Sequence, residues 1–147
     1  MNQTRSHRAA LLALFALSVF WGYNWVIMKK ALAYAGAWET FSATSASGKT
    51  YTRAKTSGAS VTVKFTGTYL AWVATVGTTL SKANVSLDGG AARSIDLART
   101  AVAYQQKVWN TGTLGYGPHT VKIWWNPANA TGKYISVDAF EVKGTLN

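Results

Sequence analysis

Five tryptophans and five tyrosines fall within residues 37–147 of this chain, more large rings than a core of that size needs. Three of the tryptophans lie in segments with a clear alternation. Along 119–125, Val121, Ile123 and Trp125 share one register, which turns Lys122 and Trp124 to the opposite face. Along 104–111, Tyr104, Gln106 and Val108 read as inward, and Gln105, Lys107 and Trp109 as outward. If the two segments pair as a hairpin about Leu114-Gly115, then Gln105, Lys107, Trp109, Thr120, Lys122 and Trp124 share one surface. Flat rings there would stack on the C–H faces of a sugar, while the amide and ammonium groups bond its hydroxyls. The competing reading is that loops cover this face and both tryptophans are core. Tyr116, in the run Gly115-Tyr116-Gly117-Pro118, is a separate loop-tip binding candidate or simply a turn residue.

Materials for catalysis are few. His119 is the one histidine of residues 37–147, and it opens a strand after a Gly-Pro turn, where a structural role is expected. No G-x-S-x-G elbow is present for a serine nucleophile. Glycoside cleavage needs two carboxyl groups about 5–10 Å apart. The five acids available are Glu39, Asp88, Asp96, Asp138 and Glu141, with Asp88 in a turn and the last two in a terminal strand. An enzyme is not expected. The run ATSASGKT at 43–50 fits a relaxed phosphate-loop pattern, but residues 51–55 read as a strand where that loop needs a helix. An ordinary polar hairpin turn is the expectation there. The absence of cysteine excludes disulfides and thiolate metal sites.

The elements that must position these residues are strands. Val61, Val63 and Phe65 alternate with polar neighbours, and Leu70, Trp72, Ala74 and Val76 share a face after an expected turn at Gly67-Thr68. Further strands are predicted at 83–87, 93–97, 104–111, 119–125 and 134–142, and weaker ones at 38–42 and 50–55. Nine short strands with turn signals between them indicate an all-β, two-sheet antiparallel sandwich.

Residues 1–36 are of another kind. Residues 9–28 carry no charge and are flanked by Arg5 and Arg8 before and Lys29 and Lys30 after, long enough for a membrane-crossing helix. Ala33-Tyr34-Ala35 suits signal-peptidase cleavage, so a cleaved signal peptide and an uncleaved anchor both stay open. The formal charge of +10 divides into +4 over residues 1–36 and +6 over 37–147. That balance favours polyanions such as acidic polysaccharide or anionic headgroups. With no arginine-rich run or recognition motif, nucleic acid is not an expected partner.

Two resemblances are carried by particular segments. VTVKFTGTYLAWVATVG, VSLDGG, YQQKVWNTGTLGYGPHTVKIWW and ISVDAFEV follow in the order found in galactose-binding-like jelly rolls, including carbohydrate-binding modules, across residues 37–147. That resemblance implies a non-catalytic module that binds polysaccharide or cell-surface glycan through a sheet face or its loop tips. It also implies that Glu39 and Asp138 stand where several such modules hold a structural calcium ion; no other cofactor is implied. LFALSVFWGYNWVIMKKAL, within residues 11–32, resembles the first transmembrane helix of drug/metabolite transporter superfamily members, though no second span follows it. The combined expectation is a domain of residues 37–147, secreted or membrane-anchored at the cell surface by residues 1–36. The alternative from another class is a self-associating structural module of an extracellular assembly.

Overall fold

The computed structural model describes residues 26–28 and 32–147, which form eleven β-strands in two antiparallel sheets. They are β1 Val26–Met28, β2 Leu32–Ala35, β3 Glu39–Ser42, β4 Thr50–Ala54, β5 Ser60–Val76, β6 Lys82–Leu87, β7 Arg93–Asp96, β8 Ala103–Asn110, β9 Gly117–Trp125, β10 Ile135–Val137 and β11 Ala139–Leu146. The larger sheet has eight strands in the order β1-β11-β5-β9-β6-β7, with β2 and β8 also on β5; the smaller runs β10-β4-β3. The expected all-β two-sheet sandwich is what the chain adopts. Phe65, Leu70, Trp72, Val85, Ile123 and Phe140 from the large sheet meet Ala54, Ile135 and Val137 from the small one in a single buried core.

The leader falls mostly outside the described residues. Where it is described, Val26–Met28 is a strand paired with Phe140–Val142, and Leu32–Ala35 is a strand paired with Ser60–Val63. Among the described residues no helix is long and apolar enough to cross a membrane. The likeness to a transporter helix therefore finds no support in the fold.

The central strand corrects one expectation. Gly67-Thr68 is not a turn: β5 runs unbroken from Ser60 to Val76. Both expected apolar faces are present, Val61, Val63 and Phe65 in one half and Leu70, Trp72, Ala74 and Val76 in the other. Their phase differs because Lys143 lies opposite Tyr69 and Gly144 opposite Gly67, so Thr68 is an extra residue at a β-bulge. A bulge shifts the alternation by one without reversing the chain. At this point the two backbones touch. A Cβ on Gly67 would land on the Lys143 carbonyl, and one on Gly144 on the Thr66 carbonyl, both far inside van der Waals contact.

The segment expected as one strand at 134–142 divides at Asp138, where the chain passes from the small sheet to the large one. Ser136 stays behind, its Oγ accepting from Thr75 N–H at 3.0 Å and donating to Thr75 C=O at 2.6 Å.

The backbone contact yields a sharp expectation. Gly67→Ala and Gly144→Ala should each cost about 2–4 kcal/mol, since main chain must move to admit a methyl group. Gly58→Ala, at φ +85 in open space, should cost about 1 kcal/mol, the left-handed penalty alone. Urea unfolding midpoints compare the three; equal losses at Gly58 and Gly67 would refute the close-contact account.

Candidate functional site

The hairpin expected about Leu114-Gly115 does not form. β9 pairs with Ser60–Gly67 of β5 and β8 with Ala71–Val76, both antiparallel. Between them Leu114 and Thr111 N–H donate to Thr68 and Leu70 C=O, so the chain continues along the same edge of β5 without doubling back. Trp124 lies opposite Ser60 and Trp109 opposite Trp72, twelve positions apart on that strand. At about 3.3 Å per residue, this is up to about 40 Å of chain. The six predicted binding residues therefore fall into two groups of three, one on β8 and one on β9, along different stretches of β5.

On β9 the expected register holds. Val121, Ile123 and Trp125 are buried, and Lys122 and Trp124 face outward, the ammonium 5.7 Å from the indole centroid. On β8 it is broken: Gln106, expected inward, is exposed, and the pairing with β5 shifts twice. Trp72 pairs with Trp109 and Val73 with Lys107, which makes Val108 the extra residue of a bulge. The phase inverts there, and Trp109 turns onto the same side as the buried Trp72 and packs against the core. Lys107 forms an ion pair with Glu141 at 2.7 Å, which raises the pKa of the ammonium. Gln105 sits at φ +53 and its amide donates to Ser45 C=O at 2.9 Å. Tyr116 is 77% exposed in the loop between β8 and β9.

Trp109 is not sealed off. Together with Val85, Leu87, Gly90, Ala91, Arg93, Asn110 and Thr111 it lines a groove of about 210 Å³ between the β6–β7 hairpin and the end of β8. The hairpin turns at Asp88-Gly89, both with positive φ, closed by Gly90 N–H donating to Leu87 C=O at 2.9 Å. Asp-Gly is the pair such a tight turn favours. Thr111 is fixed from both sides, its N–H on Leu70 C=O and its Oγ1 accepting from Leu70 N–H. Asn110 uses its Oδ1 to accept from Gly112 N–H, which leaves its amide N–H groups for a visitor. Arg93 is exposed at the rim. The groove thus joins an aromatic wall to guanidinium and amide donors, and its volume suits one ring or a chain end. Arg93 was missed because nothing in the sequence reveals which strand lies beside β8.

His119 holds the neighbouring turn to the neighbouring loop. Its Nδ1 is 2.7 Å from Asp88 Oδ2 and its Nε2 is 2.9 Å from Gly115 C=O, while Thr120 N–H donates to Asp88 Oδ1 at 2.7 Å. Both ring nitrogens face acceptors, and only the imidazolium has two N–H groups to give them. The Gly115 carbonyl and then the Asp88 carboxylate hold the ring's pKa above its ordinary value. Desolvation alone would raise Asp88, but the bonds from His119 and Thr120 outweigh it, so its carboxyl lies below the usual carboxylate range.

Glu39 and Asp138 have separate partners. Glu39 accepts from Arg53 Nε at 2.8 Å, and the Arg53 guanidinium also lies 4.2 Å from each of the Phe41 and Tyr134 ring centroids. Asp138 is buried, and both its carboxylate oxygens take Ser47 N–H at 3.0 Å. Among the described residues no three of His, Cys, Asp and Glu gather. Calcium takes six to eight oxygens, so a site using these two carboxylates would draw most of its ligands from main-chain carbonyls. The Ser47 bond also accounts for the run at 43–50: it is the β3–β4 turn, followed by strand rather than helix, and the anion on its amide is the protein's own.

Comparison with known proteins shows the fold. No protein-family profile matches the chain, and no curated protein matches it. Among solved structures, a family 35 carbohydrate binding module from Clostridium thermocellum aligns at TM-score 0.54 and 16% identity, over 76% of this chain and 91% of that one. The GH26-CBM35 β-(1,4)-mannanase of Podospora anserina aligns at TM-score 0.59 and 16% identity, over 82% of this chain and 28% of that one. The exo-β-1,3-galactanase of Phanerochaete chrysosporium, solved with β-1,3-galactotriose, aligns at 0.58 and 16%, over 79% and 28%. The chain spans less than a third of either enzyme. At this identity the likeness carries the jelly-roll architecture, in agreement with the resemblance read from the segments.

The His119–Asp88 pair predicts a pH profile. His119, raised when folded, contributes stability in full below its unfolded pKa of about 6.5, and loses it as pH climbs through the higher folded value. Asp88, lowered when folded, contributes above about 3.9 and loses it as pH falls through its folded value. Melting temperature should therefore be highest between these limits. His119→Gln should flatten the alkaline decline; an unchanged slope would show that the pair does not set it.

Proposed function

We propose that this sandwich is a non-catalytic carbohydrate-binding module that holds a polysaccharide or cell-surface glycan in the Trp109 groove. The observation that carries the proposal is the groove itself, where one half-buried indole stands beside Arg93 and Asn110 between two well-fixed walls. The fold likeness supports it, because a neighbour matched over nearly its whole length is named a carbohydrate binding module. In this reading the indole takes the apolar face of a sugar ring, the Asn110 amide and the main chain around Gly90 bond hydroxyls, and Arg93 with the net charge of +10 favours an acidic polymer. Lys122 and Trp124 on the outward face, and Tyr116 at the loop tip, supply secondary contacts along an extended chain. Export or surface anchoring by residues 1–36 belongs to the same proposal, as does an adhesive role.

Affinity electrophoresis of the full chain through gels containing neutral or acidic polysaccharide tests this. Retardation should persist at 300 mM salt and fall by about tenfold in affinity in Trp109→Ala, a loss typical of an aromatic anchor. Because Trp109 packs on the core, Arg93→Ala is the companion variant: it leaves packing intact and should weaken binding to an acidic polymer several-fold. Trp124→Ala should cost less than either. Retardation abolished by salt equally in all variants would reduce the interaction to charge. No retardation, with oligomers growing with concentration, would favour the self-associating structural module instead.

A further inference from the structure

We infer that His119 is a protonation-operated latch that pins the loop of residues 112–116, with Tyr116, that leaves the Trp109 groove at Thr111. The inference rests on the carbohydrate reading only for what the latch regulates, not for the latch itself. Asp88 belongs to the turn whose neighbours Leu87, Gly90 and Ala91 wall the groove on one side. Gly115 belongs to the loop that leaves the groove's other wall at Thr111. The imidazole bridges the two with one contact to each.

The bridge holds only while both ring nitrogens carry hydrogen. A neutral imidazole keeps one N–H, and the carboxylate is the stronger acceptor for it. Gly115 C=O then faces a nitrogen lone pair, and the contact turns from attractive to repulsive. The rest of the surroundings do not compensate. Phe65 of β5 packs on the ring at 5.4 Å between centroids and contributes no charge, and Leu146 of β11 lies opposite Phe65. Lys64 is exposed, alternating with Phe65 to the other side of β5, and Thr120 offers only its N–H, to Asp88. Asp88 is thus the charged group that faces the ring. Gly112 and Gly115 give the loop freedom to move once released, since a Cβ at either would meet nothing, whereas Thr111 and Leu114 remain tied to β5. What moves is the stretch that carries Tyr116. Below the His119 transition the held Gly115 gives the exposed Tyr116 ring one position from which to meet a glycan that runs out of the groove; above it that position is lost.

Nuclear magnetic resonance on the full chain tests the latch without any sugar. As pH rises from 5.5 to 8.5, the Gly115 and Tyr116 amide signals should move with the midpoint of the His119 ring signal. His119→Gln should show the released pattern at both pH values, and Asp88→Asn should lower the midpoint, so the result does not hang on one variant folding. Amide signals that ignore the ring's titration would overturn the latch. Polysaccharide retardation, referred to polymer-free gels at each pH, should weaken several-fold to about tenfold across the same interval, the range of one hydrogen-bonding group. Tyr116→Ala should weaken it at pH 5.5 and leave it unchanged at 8.5. Equal retardation at both pH values, beside a loop that titrates, would overturn the regulatory role. A loop that titrates in a protein bound by no polysaccharide would uphold the latch and count against the carbohydrate reading.

Discussion

Everything in this sandwich is arranged around the contact between two glycine backbones, Gly67 and Gly144. β5 supplies an edge to four other strands, β2 and β11 on one side and β9 and β8 on the other. It can do so only by remaining one strand for 17 residues. A strand of that length twists, and its apolar face would drift out of the core unless the alternation were reset part-way. The bulge at Thr68 performs that reset, and the absence of side chains at Gly67 and Gly144 lets the neighbouring backbone lie close enough to keep pairing through it.

The groove follows from the same geometry. With β9 and β8 strung in series on one edge of β5, the connecting loop runs along the sheet and leaves a gap where the β6–β7 hairpin ends. A second bulge, at Val108, turns Trp109 toward that gap and away from the outer face. Three of the five acids are matched locally by a base: Glu39 with Arg53, Glu141 with Lys107, Asp88 with His119. The surplus of positive charge is therefore carried by other lysines and arginines, with Arg93 among them at the groove.

How much of this could be read from the sequence depended on whether local pattern or distant pairing decided it. The strands at 83–87, 93–97 and 119–125 were legible because period-two alternation between turn residues has few other meanings. The inward set Val121, Ile123 and Trp125 followed from that alternation alone. Gly67-Thr68 misled because glycine before a polar residue signals a turn equally well when its purpose is to admit another backbone. Trp109 misled because one bulged residue inverts a face, and bulges are set by the partner strand. Asp138 had no local signature as a strand break, since its bond is to Ser47, 91 positions away. Arg93 and the His119 bridge were hidden for the same reason: both depend on β6 lying beside β9, which no short-range pattern encodes.

The position of β11 in the chain has a consequence for synthesis. Val73 finds its partner Ala139 only 66 positions later, and Leu70, Trp72 and Phe140 are fully buried once that pairing is made. At roughly 5–20 residues per second, a ribosome leaves the apolar half of β5 without its neighbour for several seconds. During that time the emerging chain presents an unpaired, nearly uncharged edge to every other chain nearby. High-contact-order sheets are slow to close for this reason, and the yield of this protein should depend on chaperone capacity and growth temperature more than its finished stability would suggest.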